Sequence, residues 1–75
     1  MRVDRLLDCI GKLCPEPVID IAEAIMGMES GEVIEMRTTD PGSEPDMVAW
    51  SRRTGHKVID QKVENKVFVY YVRKK

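Results

Sequence analysis

The sequence holds few of the residues from which metal and redox centres are built. It has two cysteines, Cys9 and Cys14, and one histidine, His56, among 75 residues. The C-x4-C spacing of the cysteines differs from the C-x2-C spacing of zinc sites, and a single histidine leaves a tetrahedral set to be completed by carboxylates. Two cysteines are also too few for the disulfide framework of a small secreted protein. We therefore expect no metal and no cofactor, which leaves the thiols for covalent chemistry or for packing.

An excess of charge of one sign and long apolar runs are also absent. Twelve Lys and Arg residues balance thirteen Asp and Glu residues, and the only aromatic residues are one Trp, two Tyr and one Phe. Binders of single-stranded nucleic acid combine a basic groove with aromatic stacking platforms, so no direct nucleic-acid partner is expected. No apolar run approaches the roughly 20 residues that cross a bilayer, and charges interrupt the start of the chain where a secretory signal needs an apolar centre. We expect a cytoplasmic protein without a membrane partner, folded as one domain over residues 1–75.

The hydrophobic pattern predicts alternating strands and helices. Strands are predicted at 3–8, 33–39, 57–63 and 67–73, with a hairpin at 64–66 between the last two. An apolar stripe with helical spacing predicts a first helix that follows Cys14 and ends by Gly31. A capping box of Ser43 and Asp46 predicts the start of a second helix, which ends at Gly55. The order β-α-β-α-β-β favours an α+β sandwich, in which two helices cover one face of a four-stranded mixed sheet.

Cys14 stands directly before a Pro-Glu-Pro triplet at the predicted start of the first helix. If Cys14 is the N-cap, Pro15 and Pro17 fall in the first turn, where backbone amides have no partner within the helix. Their fixed φ angles stiffen the segment that carries the sulfur. The helix dipole favours a thiolate whereas Glu16 opposes it, so an accessible, moderately activated thiol is expected. The pattern alone also allows Cys14 to be a small buried hydrophobe near the helix start.

The surroundings of Cys14 in the sequence favour a carrier over a self-sufficient enzyme. No histidine or lysine is adjacent to it, and Lys12 is the nearest basic residue. An enzyme that acts on a small substrate needs an acid, a base and oxyanion donors in one pocket. A carrier needs only to present a sulfur that one partner loads and another unloads. Whether such a protein acts as an enzyme in its own right stays open.

Several segments carry a family resemblance: LDCIGKLCPEPV, SGEVIEMRTTDPGSEPDM, AWSRRTGHKV and the basic end VRKK. They contain a Cys-Pro-x-Pro element preceded by Leu-Asp-x-x-Gly, a Thr-Asp-Pro turn and a Gly-His pair. Together they resemble the TusA family of sulfur carriers, also called SirA-like proteins. The resemblance covers nearly the entire chain, and the combination of motifs is far more specific than any one of them.

The resemblance implies a two-layer sandwich like the C-terminal domain of translation initiation factor three, with strand order 1-2-4-3 and strand 4 antiparallel to the rest. It implies that Cys14 accepts sulfane sulfur as a persulfide from a cysteine desulfurase or a rhodanese-like donor. The sulfur would then pass to a downstream acceptor protein, for example in tRNA thiolation or cofactor sulfuration. The same match places Asp40 in the loop that faces Cys14, and it assigns Pro15, Glu16 and Pro17 to the motif of Cys14.

The chain departs from the family pattern in two places. Ala22 and Glu23 stand where many relatives have basic residues, and such rim charges help to select partners. Cys9 is the other departure, since the better-known tRNA-pathway members lack it. Cys9 could resolve a Cys14 persulfide by forming a disulfide and releasing sulfide. The favoured interpretation of Cys9 is a small packed residue at the end of the first strand.

Two functions of other classes compete with the carrier. A non-catalytic module would bind RNA or a regulatory protein without using Cys14, and a small redox protein would cycle a disulfide between Cys9 and Cys14. His56 follows a glycine before a predicted strand, so it is expected to be structural rather than catalytic. The basic residues 73–75 are expected to form a solvated, frayed end.

Overall fold

The strands form one mixed sheet that agrees with the predicted architecture. The computed structural model describes residues 1–75. Its elements in chain order are β1 (Arg5–Cys9), α1 (Glu16–Met26), β2 (Val33–Thr38), α2 (Ser43–Thr54), β3 (Lys57–Glu64) and β4 (Val67–Arg73). The sheet order is β1-β2-β4-β3, with β1 parallel to β2 and β4 antiparallel to both of its neighbours. The α+β class, the strand order and the orientation of β4 are therefore confirmed.

The core lies between the sheet and the two helices. Period-2 alternation directs every second residue of β2 and β4 toward the helices, including Ile34, Met36, Tyr70 and Val72. The buried cluster comprises Cys9, Ile21, Ala24, Ile25, Met28, Ile34, Met36, Met47, Trp50, Tyr70 and Val72. Burying each large member contributes roughly 1.5–3 kcal/mol. Val48 on α2 is 39% exposed and lies outside this core.

The hairpin between β3 and β4 is also confirmed. Asn65 and Lys66 have φ angles of 49° and 66°. Two consecutive residues with positive φ are typical of the type I′ turn, whose twist matches that of the flanking strands. Its strands carry no part of the cysteine site, but β4 supplies Tyr70 beneath α2.

The start of α1 differs from the prediction. Pro15 occupies the N-cap position and no side chain caps the helix, so Cys14 is not the N-cap. The amide of Ile19 donates to the carbonyl of Pro15 at 3.2 Å, which makes Pro15 the first residue whose carbonyl enters the helical ladder. The peptide bond between Cys14 and Pro15 is cis. Cys14 consequently lies in the loop that leads into the helix, two residues before Glu16.

The start of α2 also differs from the prediction, because the capping box is not formed. Gly42 is the N-cap and Ser43 is already helical. The Ser43 hydroxyl forms a buried hydrogen bond of 2.7 Å with the hydroxyl of Tyr70 instead. Asp40 provides the local acceptor, since its Oδ1 receives the Gly42 amide at 3.0 Å. Asp46, the other half of the predicted box, therefore takes no part in capping.

The end of α1 and the C-terminus meet, and both predictions there need correction. The helix ends at Met26 with Gly27 as its C-cap, before the predicted stop at Gly31. Lys74 pairs with the neighbouring chain through its amide, which donates to Glu32 O at 2.9 Å, and its carbonyl, which accepts from Gly31 N at 2.9 Å. The Lys74 ammonium also donates to the carbonyl oxygens of Met26 and Met28. The basic end is thus part of the fold and not frayed. Neither helix is long and apolar enough to cross a membrane.

Candidate functional site

Cys14 lies at the end of the sheet where both helices begin. Because β1 and β2 are parallel neighbours, the loops that follow them emerge at the same end of the sheet. Two hydrogen bonds join these loops: Gly11 N donates to Thr39 Oγ1 at 3.0 Å, and Cys14 N donates to Asp40 Oδ2 at 3.1 Å. The backbone that carries the sulfur is therefore fixed to the loop before α2.

The Cys14 side chain is exposed and is a free thiol. The interpretation of Cys14 as a buried hydrophobe is therefore wrong. The segment that follows Cys14 holds it in place. Pro17 is buried in the first turn of α1, whereas Pro15 and Glu16 lie at the surface. The sulfur borders an open cleft between the two helices. The lining residues of this cleft are Cys14, Pro15, Val18, Asp46, Ala49 and Arg53.

Asp40 is a buried carboxylate with both oxygens in use. It is only 8% exposed, and its oxygens accept the amides of Cys14 and Gly42. Its own amide donates to Thr38 Oγ1 at 3.2 Å, and its carbonyl accepts from Ser43 N at 3.1 Å. Asp40 thus connects the end of β2, the start of α2 and the backbone of Cys14.

Two carboxylates surround the sulfur of Cys14. Its Sγ and one oxygen from each of Asp40 and Asp46 lie within 4.8 Å of one another. The nearby Asp46 carboxylate raises the pKa of the Cys14 thiol above its ordinary value, and burial and the charge of Asp40 add to the effect. The expected moderate activation is therefore wrong in direction. The opposing acid is Asp46 on α2, whereas Glu16 is not among the groups that shift this pKa.

Cys14, Asp40 and Asp46 are also the three side chains whose donor atoms are close enough to contact one ion. Both oxygens of Asp40 already accept backbone hydrogen bonds, and hard cations prefer six or more oxygen ligands. We assign no metal to this group.

Sequence reasoning missed Asp46 because it was interpreted as part of a capping box. The signal that could have found it is topological. Two helices that follow parallel, adjacent strands begin at the same end of the sheet, so a residue in the first turn of α2 can face the loop of Cys14. Asp46 does so, whereas Glu44 accepts a hydrogen bond from Gln61 on β3. Arg53, in the last turn of α2, also lines the cleft.

Cys9 lies apart from this site in the core. It is 1% exposed, forms no disulfide, and its Sγ lies 3.7 Å from Asp20 Oδ2. Burial, together with Asp20, raises the pKa of Cys9 to about 11. Lys12, the basic residue nearest to Cys14 in sequence, forms an ion pair with Asp20 at 2.6 Å. The geometry agrees with the packing interpretation of Cys9.

Comparison with known proteins places the chain in a family. A sequence model described as "Sulfurtransferase TusA" matches residues 5–74. The chain belongs to the TusA family. It is 34% identical over 71 residues to the sulfur carrier protein TusA of Allochromatium vinosum, which covers 95% of this chain and 93% of that protein. It is also 34% identical over 74 residues to YrkI of Bacillus subtilis strain 168, with 99% of each chain covered.

A solved structure shows the same TusA-type fold. The SirA-like protein of Desulfitobacterium hafniense superposes with a TM-score of 0.81, covering 92% of this chain and 95% of that one. The two sequences are 21% identical, so this likeness concerns the fold alone.

Proposed function

We propose that this protein is a sulfur carrier that accepts sulfane sulfur as a persulfide on Cys14 and relays it to an acceptor protein. The observation that carries the proposal is a free, exposed thiol at the mouth of the interhelical cleft, on a backbone fixed by Asp40. Membership of the TusA family supports it, since curated relatives are named sulfur carrier proteins. The role proposed for four neighbouring residues is to hold the backbone of Cys14 in place: Pro15, Glu16, Pro17 and Asp40.

The transfer is an exchange at sulfur that needs no external oxidant or reductant. In loading, Cys14 Sγ attacks the terminal sulfur of a donor persulfide, so that a new S–S bond forms while the donor's S–S bond breaks. The donor sulfur leaves with the electron pair and takes up a proton. Unloading repeats the exchange with the acceptor as the nucleophile. The proposed donor is a cysteine desulfurase or a rhodanese-like protein.

The chain offers little catalytic assistance of its own, which is consistent with chemistry shared with partners. His56 is engaged elsewhere, because its Nδ1 accepts the amide of Lys75 at 3.1 Å. Lys12 is paired with Asp20, so neither residue serves Cys14 as a base. We expect the partner proteins to supply the remaining groups. Localisation in the cytoplasm stays a prediction.

Labelling with a cysteine desulfurase and radioactive cysteine tests the proposal. After separation without reductant, label should be bound to the wild type and absent from Cys14→Ala. Cys9→Ala is the matched control, because it removes the other thiol and should keep the label. Intact-mass measurement should show one or more added sulfur atoms on the wild type and on Cys9→Ala, and none on Cys14→Ala. Label retained by Cys14→Ala would refute the assignment, and RNA affinity that persists in that variant would favour the binding module.

A further inference from the structure

The two carboxylates beside Cys14 differ in how the fold uses them. Both oxygens of Asp40 accept backbone amides and are therefore committed to the structure. The four ion pairs of the protein do not include Asp46, and Gly42 and Ser43 start α2 without its help. The Asp46 carboxylate therefore forms no ion pair and caps no helix, and one of its oxygens lies within 4.8 Å of the Cys14 sulfur.

Asp46 is held at this place by a rigid support. It sits in the first turn of α2, which is tied to β4 through the buried Ser43–Tyr70 hydrogen bond and to β2 through Asp40. From there it lines the same cleft as the Cys14 thiol. A group placed in this way keeps its distance to the sulfur without help from a partner protein.

We propose that Asp46 is the proton acceptor in sulfur transfer: it lies beside the Cys14 thiol and receives its proton when the sulfur attacks. The inference rests on the proposed function. In loading, Asp46 takes the thiol proton as the Sγ–S bond forms and the donor's S–S bond breaks, and the proton then passes to the departing donor sulfur. In unloading, Asp46 takes the proton of the attacking acceptor thiol and passes it to Cys14 Sγ as that sulfur leaves. Atoms and electrons balance without an added redox reagent.

Alkylation of Cys14 tests the contact independently of sulfur transfer. Rates with iodoacetamide are measured from about pH 6 to about pH 10, a range that spans the ordinary thiol pKa, with the modified residue identified by mass. We expect Asp46→Asn to react severalfold faster than the wild type near neutral pH, with its profile shifted to lower pH. Asp46→Glu should restore the wild-type profile. Glu44→Gln is the matched control, because it removes the same charge from the same helix turn and should leave the profile in place.

Two results of this experiment overturn the proposal. One is an Asp46→Asn profile that coincides with the wild type. The other is an equal shift in Glu44→Gln, which would reduce the effect to net charge.

Transfer from glutathione persulfide tests the proton acceptor. Both reactions use the Cys14 thiolate, but the donor sulfur that leaves in loading takes up a proton, whereas the iodide that leaves in alkylation does not. We expect the ratio of the loading rate to the alkylation rate to fall severalfold in Asp46→Asn and to recover in Asp46→Glu. An unchanged ratio overturns the role of Asp46. Failure of the wild type to load from any persulfide would instead refute the proposed function, while the alkylation profiles still judge the Asp46 contact.

A measurement on the wild type covers the case in which Asp46→Asn does not fold. The carboxyl carbon of Asp46, followed by NMR, should show a chemical-shift step when the Cys14 thiol ionises. The step should vanish in Cys14→Ser. A chemical shift of the Asp46 carboxyl carbon that stays constant in the wild type from about pH 6 to about pH 10 overturns the proposal.

Discussion

At the scale of single residues, the two cysteines show how surroundings separate one chemical type into two roles. Cys14 is exposed beside two carboxylates, whereas Cys9 is buried in the core against Asp20. Reactivity of a thiol depends on its thiolate fraction and its access to solvent. Cys14 has access, and Cys9 has neither access nor a low pKa. The resolving role that the sequence left open for Cys9 thus requires a local opening of the core.

Reaction with Ellman's reagent at about pH 8 checks this difference. The native protein should show one fast thiol, and the second should react only after unfolding in guanidinium, because local opening of a buried core site costs a large part of the global stability. Cys14→Ser should leave only the slow thiol, and Cys9→Ser only the fast one. Two fast thiols in the native wild type, or a disulfide formed by mild oxidation, would contradict the packing role and revive the redox alternative.

At the scale of elements, the helix ends are completed by residues from elsewhere in the chain. Asp40 in the preceding loop accepts the N-cap amide of α2, and Lys74 beyond β4 reaches the carbonyl of Met26 at the end of α1 and that of Met28 just after it. The negative end of a helix favours such a cation. Local capping rules therefore found the correct helices and the end of α2 at Gly55, but they named the wrong residue at the start of each helix.

Replacement of Lys74 by Met tests the cation at the end of α1. The change keeps most of the aliphatic stem but removes the charged donor, so we expect the free energy of unfolding to fall by about 1–2 kcal/mol. Urea denaturation measures it. Lys57→Met is the control, because Lys57 is exposed on β3 and its loss should change stability by less than about 0.5 kcal/mol. Equal losses in the two variants would show that the Lys74 contacts contribute nothing specific.

At the scale of the whole molecule, His56 connects stability to pH. Its Nδ1 accepts the Lys75 amide, and its ring packs against Trp50 with the ring centroids 5.4 Å apart. Burial, followed by the charges of Lys74 and Lys75, lowers the pKa of His56 below its ordinary value of 6.5. The unfolded chain therefore binds more protons than the folded one in this range, and stability is lost as the pH falls through the folded-state pKa.

Thermal unfolding between about pH 5.5 and about pH 7.5 checks the sign, in a window above the ordinary carboxyl pKa values. The melting temperature of the wild type should rise with pH. His56→Gln keeps a hydrogen-bond acceptor but cannot be protonated, so its melting temperature should be less dependent on pH. Equal slopes in the two proteins would mean that other groups control stability in this range.

The sequence by itself determined the elements, their order and the faces that they bury. Side chains repeat every two residues along a strand and every 3.6 along a helix, so the alternation within 33–38 reports directly which side is apolar. Residues 67–73 are apolar on both sides, and the packing of the helices selects their buried face. The hairpin and the strand order followed from the pattern together with the family motifs. The motif around Cys14 also identified the candidate nucleophile.

Only the tertiary structure decided which polar groups surround that nucleophile. Asp46 faces Cys14, Ser43 bonds Tyr70 and Lys74 completes α1, and each contact joins residues far apart in the sequence. A short polar side chain has several competent partners, and the order of strands in the sheet selects among them. That selection reversed the expected effect on the Cys14 thiol, because the acid that lies beside it comes from the second helix.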